Sequence, residues 1–413
     1  MNMRMSWLCV VGLRLFVTPV AAQDPPGWPQ GEFIPYMLDS GKLDNADRAS
    51  AVVFEKTIMV DDAAWMRLYF SNADLRPGSY VRMTSLFDGE VQELDANDLA
   101  MWNSTSAYFN GDAVYLELIA APGSIGNRIA LNQVAVEIVP GGRRGPCYES
   151  DRGICVNDDR VPSYELWAAR VMPVNCSASI YNTHSCAVTA GHCTALGYAD
   201  VLQFNVPHSI NCALLNPPVD DQFPITDCAF KVYQPTCEDW AVMTIGTNGL
   251  GETPYERYGE YRPIASEPAD VASFIEIWSY GTDNSDPDWN QVQQYSAGSP
   301  LVRTDYYYRH NCDITWGSSG GALLHNDEIV GIQSSSDWDC QNWANRIDIP
   351  EYVSAREALC PAGGPILGFS HFANCMNGPG QPLAYECVPT DLDSDADADM
   401  TDLAVYQAAF GCP

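Results

Sequence analysis

Between residues 24 and about 141, apolar and polar positions alternate in short runs such as "AVYLELIA" and "RIALNQVAVEIV". Gly, Asn, Asp and Pro separate the runs. A period of two puts every second side chain on one face, so these runs predict strands with one buried face. The segment contains no cysteine and reads as a β-sandwich-like domain. From residue 147 to about 375 the pattern is again short apolar runs broken by turn residues, now with cysteines throughout. One helical pattern, "IPEYVSAREAL", comes late in this stretch. "NGPGQP" then reads as a linker, followed by an acidic loop and the short helix former "LAVYQAAF".

The first residues break this pattern. Arg4, the apolar run "SWLCVVGLRLFV" and the ending "PVAAQ" form an export signal with its cut after Ala22, although Arg14 interrupts the run. The expected order is a signal peptide at 1–22, a β-domain at 23–145, a second β-domain at 146–376, and a linker with a small tail at 377–413. "GGRRG" at the first junction is either a site for a processing protease at Arg143-Arg144 or an ordinary basic turn. No later stretch reaches the about 18 apolar residues that a membrane span needs.

Charge narrows the partners. Lys plus Arg total 21 against 53 Asp plus Glu, a formal charge of −32. Such a chain repels phosphate backbones and anionic lipid, which excludes nucleic acid as an expected partner. Of the 15 cysteines, Cys9 falls in the leader and leaves an even 14. In an exported chain that count predicts disulfides and an extracellular protein.

"SCAVTAGHCTA" places His192 against Cys193, with Cys186 nearby. Alone, the cluster would suit zinc or redox chemistry, but no CxxC pair occurs anywhere to complete a structural zinc site. Other residues offer His192 a different role. "TWGSSGGALL" presents Ser319 between glycines, where the N–H groups of Gly317 and Ser319 could point at one oxyanion. "CEDWAVMTI" sets Asp239 at the head of an apolar strand, placed to orient an imidazole. Glu238 is adjacent, but neighbours on a strand face opposite ways. His184, His208, His310, His325 and His371 have no such context and read as structural or surface residues.

"TAGHC", "DWAVM" and "GSSGG", in that order, resemble the histidine, aspartate and nucleophile motifs of the trypsin/chymotrypsin family of serine peptidases. "GIQSSS" resembles the strand that pairs with substrate, and "IPEYVSAREAL" resembles the closing helix. The resemblance covers roughly residues 158–360. It implies a chymotrypsin-like double β-barrel, a mainly β chain and a secreted endopeptidase acting on protein or peptide substrates. His192, Asp239 and Ser319 would be catalytic, with no cofactor for catalysis. It also implies a Cys176–Cys193 bridge beside the base and a Cys312–Cys340 bridge beside the specificity pocket. Local loops at 147–155, 360–375 and 387–412 are candidates for further bridges. Asp313 lies where trypsin-like members bind Lys or Arg, with Ser334 and Ser336 on the opposite wall. However, Cys312 stands three residues further from the nucleophile than the family's pocket cysteine. Many members carry Asp immediately before the nucleophile, paired with an amine freed by activation. Here that position is Ser318, as in bacterial members that include glutamyl- and lysyl-specific enzymes. The competing reading is a catalytically inactive protease-fold binding or adhesion protein displayed through its tail.

The tail itself, "DLDSDADADMTDL", spaces Asp391, Asp393, Asp395, Asp397, Asp399 and Asp402 like the ligands of an EF-hand loop. It resembles half of a dockerin-like repeat and predicts a calcium site and a docking partner. Ala396 at the usual glycine and Asp402 at the usual glutamate would both weaken calcium affinity.

Overall fold

The computed structural model describes residues 31–139 and 152–361, apart from 196, 198, 211, 234–236, 284 and 337–339. Residues 1–22, read as an export signal, Arg143-Arg144, the cysteines at 147 and beyond 361, and the acidic tail lie outside the described residues.

Residues 31–139 form two four-stranded antiparallel sheets. One contains Glu32–Asp39, Arg128–Ile138, Ala63–Asp74 and Phe109–Asn110; the other contains Ala51–Met59, Ala113–Ala120, Tyr80–Ser85 and Val91–Leu94. The alternating runs place Leu116, Leu118, Val134 and Val136 in the core with Trp65 and Leu68. The sheets thus make a sandwich.

Six strands close the next unit into a barrel: Ala168–Met172, Cys176–Ile180, Ala187–Thr189, Glu238–Ile245, Gln222–Tyr233 and Val201–Gln203. Small side chains such as Ala168, Ala178, Ala187 and Ala241 are fully buried there, as the tight interior of a small barrel requires. An eight-stranded antiparallel sheet follows, contributing Ile275, Ile277, Leu323 and Val330 to a core of its own. Helix Pro350–Leu359, with proline at its start, returns to the barrel and sets Tyr352 edge-on against Trp240. This is the mainly β architecture expected from the sequence, with one closed barrel beside a second, eight-stranded sheet.

The sandwich is fused to the barrel. Its core takes in Met172, Val201 and Val219. Arg67, 2 % exposed, reaches Asp200 at 2.7 Å. The Gln222 amide accepts from the backbone N–H of Tyr108 and donates to its carbonyl. Met101 abuts Gly246, beyond the end of strand Glu238–Ile245 and opposite the end that carries Asp239. A separation of about seven residues on a strand is roughly 23 Å. No described residue of the sandwich lines the cleft at Ser319.

Candidate active site

His192 sits on the single helical turn Gly191–Thr194, immediately after strand Ala187–Thr189. Asp239 holds it twice. Oδ2 lies 2.6 Å from the ring Nδ1, and Oδ1 accepts the His192 backbone N–H at 2.7 Å. The carboxylate therefore fixes both the ring and the turn that carries it. Asp239 is fixed in turn by its own N–H, which donates to Oδ1 of the buried Asn345 in the second sheet. Glu238 points the other way and pairs with Lys231 at 2.8 Å.

Cys193 is bonded to Cys176, with Cα atoms 6.3 Å apart. The two sulfurs and the imidazole lie within 4.8 Å of one another, the proximity that makes the sequence look like a metal site. Disulfide sulfurs are not thiolates, so this trio lacks the ligands that zinc takes. The next residue, Ser177, faces the loop Gly317–Ser319. Its N–H donates to the Ser319 carbonyl at 2.7 Å and its Oγ to the Gly317 carbonyl at 2.8 Å. One strand segment thus registers His192 through Cys176 and Ser319 through Ser177. Ser177 and Asn345 carry no motif, and sequence reasoning missed both.

Ser319 and His192 line the same cleft. The serine hydroxyl rests 3.4 Å from the Ser334 carbonyl, a long contact that is easily given up. Gly317 has φ +93°, and a Cβ there would meet the Tyr280 carbonyl at 2.4 Å, so no other residue fits. The Trp316 carbonyl accepts from the Thr282 N–H, and the Ser318 carbonyl accepts from the Gly321 N–H. In a trans peptide the N–H points opposite to the C=O. Pinning those two carbonyls therefore aims the N–H groups of Gly317 and Ser319 the other way.

Ser318 is fully buried. Its Oγ lies 2.9 Å from Ser279 Oγ and accepts from the Thr315 N–H. Thr315 Oγ1 is in turn 2.6 Å from Nη1 of Arg160, whose guanidinium also donates to Thr282 O, Gln294 Oε1 and both oxygens of Asp158. Burial opposes the Asp158 charge, but these bonds outweigh it and hold the carboxyl below its ordinary range. A cation internal to the chain thus braces the loop before Ser319.

The pocket departs from expectation in two places. Cys340 is bonded to Cys155, not to Cys312, which is a buried free thiol. The family's pocket cysteine position is taken by Thr315, so Cys312 falls outside the bridge's register. Asp313 does not line the cleft. It is buried behind the wall, where Oδ1 accepts the Cys155 N–H at 2.6 Å and Oδ2 the Asp159 N–H at 2.8 Å. Burial pushes its carboxyl up to about 6, against the pull of those two bonds. Ser334 and Ser336 do line the cleft, together with Ser335, Gln333, Thr315 and Arg152. His310, behind Gln333, is fully buried, with Nε2 2.7 Å from Gln333 Oε1 and Nδ1 accepting the Cys312 N–H. Burial pushes it down to about 4, against the opposing Gln333 bond. It is a neutral structural histidine. Cys360 pairs with Cys186, and Cys155 with Cys340, which removes the local loops expected at 360–375 and 147–155. In both cases the bridge joins segments that lie far apart along the chain.

Neither a family model nor a curated protein sequence matches the chain. Among solved structures, it is similar to a Glu endopeptidase in complex with MPD, with 19 % identity, TM-score 0.40, 48 % of this chain covered and 95 % of that one. It is also similar to AL20, a thermostable serine protease from an extremophilic microorganism, with 17 % identity, TM-score 0.33, and 41 % and 82 % covered. A mutant of human heparin binding protein (CAP37) matches with 11 % identity, TM-score 0.35, and 45 % and 87 % covered.

Proposed function

We propose that the chain is a secreted serine endopeptidase. Ser319 attacks the peptide carbonyl while Nε2 of His192 takes its proton. His192 then gives that proton to the leaving amine, and water repeats the cycle on the acyl-enzyme. Asp239 keeps the proton on Nδ1 and stabilises the imidazolium. The N–H groups of Gly317 and Ser319 receive the oxyanion. The observation that carries this reading is the double grip of Asp239 on His192, in a cleft whose lining includes both His192 and Ser319. A protein that used the fold only for binding would have no need of that grip. The test is turnover of a peptide substrate by the full chain and by Ser319→Ala and His192→Ala. Loss of turnover in both variants, with unchanged melting, supports the enzyme. Equal turnover in all three proteins refutes it.

Export is supported by the leader-like start and by the bridges Cys155–Cys340, Cys176–Cys193 and Cys186–Cys360. Among the described residues, no helix is long and apolar enough to cross a membrane. The acidic tail is proposed to bind calcium through Asp391, Asp393, Asp395, Asp397 and Asp402, apart from catalysis. Calcium should then protect residues 387–413 from proteolysis in the full chain, and no protection at millimolar calcium would refute the site.

A further inference from the structure

Buried polar side chains run in contact from the sandwich to the loop before Ser319. At the sandwich end, Asn110 Nδ2 donates to the Asn216 carbonyl at 3.0 Å, and Asn110 Oδ1 accepts the Asn216 N–H at 2.9 Å. The Asn216 side chain passes the contact on, because its Oδ1 accepts from Gln203 Nε2 at 2.9 Å. Gln203 Oε1 in turn accepts from Arg170, at 3.0 Å from Nε and 2.6 Å from Nη2. Arg170 Nη1 donates to the Gln291 carbonyl at 3.2 Å. Gln291 Nε2 donates to the Trp316 carbonyl at 3.3 Å, and the same carbonyl accepts the Thr282 N–H at 2.6 Å. Asn216, Gln203, Arg170 and Gln291 are each at most 3 % exposed, and Asn110 is 8 % exposed. At such depth a lost partner is not replaced by bulk water, so each bond constrains the next.

The end of this chain of contacts bears on one peptide. The Trp316 carbonyl and the Gly317 N–H belong to the same trans peptide, so donors on the carbonyl set the direction of the N–H. Gln291 also packs on the glycine itself, since a Cβ on Gly317 would meet Gln291 Nε2 at 2.1 Å. Gln291 is held at φ +58°, left-handed backbone that is strained for a residue other than glycine. Two bonds keep it there, from its N–H to the Gly281 carbonyl at 3.0 Å and from Arg170 to its own carbonyl. We infer that the sandwich is a positioning module for the site at Ser319. Its contact at Asn216 holds Gln203 and Arg170, which fix Gln291 and with it the Gly317 N–H. Asn110 is the side chain that the sandwich supplies, and Gln291 is the positioning residue at the loop. This rests on the serine-peptidase reading above, in which the Gly317 N–H receives the oxyanion.

The test is steady-state hydrolysis of a small ester by the full chain, with active sites counted by a fluorophosphonate and melting measured beside it. Coupling carried through a packed network predicts about a 2- to 30-fold fall in kcat for Asn110→Ala. KM should stay nearly constant, because the oxyanion exists only in the transition state. Gln291→Met keeps nearly the same length but loses the donor, and it should lower kcat at least as far. The double variant should fall by less than the product of the two single effects, because both act on one peptide. Met101→Ala weakens the sandwich's contact at Gly246, outside this network, so melting should fall while kcat holds. If Asn110→Ala does not fold, Asn110→Thr takes its place. Unchanged kcat in the Asn110 or Gln291 variant, single effects that simply multiply, or an equal fall in Met101→Ala overturns the inference and leaves the peptidase reading intact. No ester hydrolysis and no fluorophosphonate labelling of the native chain overturns both.

Discussion

Arg160→Met probes what holds the oxyanion loop. The native guanidinium, 4 % exposed, bonds Thr282 O, Gln294 Oε1 and Thr315 Oγ1 and grips Asp158 with two further bonds. In the variant Thr282 O still accepts from Thr315 Oγ1, and Asp158, 32 % exposed, regains water. Gln294, 3 % exposed, is left with an orphaned acceptor. That orphan costs about 1–3 kcal/mol. If the loss falls on the Thr315–Ser318 brace, about 1.4 kcal/mol per factor of ten makes it roughly a 5- to 140-fold fall in kcat. The oxyanion exists only in the transition state, so KM should stay nearly constant. Arg160→Lys should recover only part of the rate, because an ammonium lacks the fork. The assay is steady-state hydrolysis of a small ester by the full chain, with kcat and KM resolved. A lowered melting temperature with unchanged kcat would refute the reasoning and leave Arg160 as a purely structural residue.

Asp239→Asn should fold normally and lose about 10⁴-fold in kcat, because the imidazole tautomer is no longer enforced; full activity would point to another acid, with Glu238 tested next. Because Arg160 is already in place, the chain should hydrolyse esters with residues still attached before Asp158; activity that appears only after a specific N-terminus is generated would refute this. Two buried groups set opposing pH dependences, read by urea titrations from pH 4 to 7. His310 falls from an ordinary 6.5 to about 4, so its contribution is present above pH 6.5 and is lost as pH falls towards 4. Asp313 rises from 3.8 to about 6, so its contribution is present below pH 3.8 and is lost as pH rises through 6. His310→Gln should therefore leave a stability that declines from pH 4 to 6, and a variant that still loses stability on acidification in that window would contradict the assignment.

Much of this arrangement was legible in the residues because the chemistry is local. Two-residue alternation marks the sandwich strands. The glycine of "GSSGG" is demanded by a positive φ and a backbone neighbour at Gly317. Asp239 and Glu238 separate because a strand sends them to opposite faces. The misreadings share a different cause. Which way Asp313 faces depends on the N–H groups of Cys155 and Asp159, more than 150 positions away in the sequence. The Cys155–Cys340 and Cys186–Cys360 bridges join positions 185 and 174 residues apart, and no spacing rule relates them. Ser177 is one of many serines until the fold lays it beside the Gly317 carbonyl. The union of the sandwich with the barrel was likewise hidden, because Arg67 and Asp200 are 133 positions apart.

The central claim is that Ser319 is a nucleophile activated by His192. The full-length protein should be treated with a fluorophosphonate and the modified peptide located by mass spectrometry, beside Ser319→Ala and His192→Ala. The account predicts one phosphonyl group, on Ser319, absent from Ser319→Ala and formed far more slowly in His192→Ala. Labelling of another serine, or no labelling of the native protein, would contradict it.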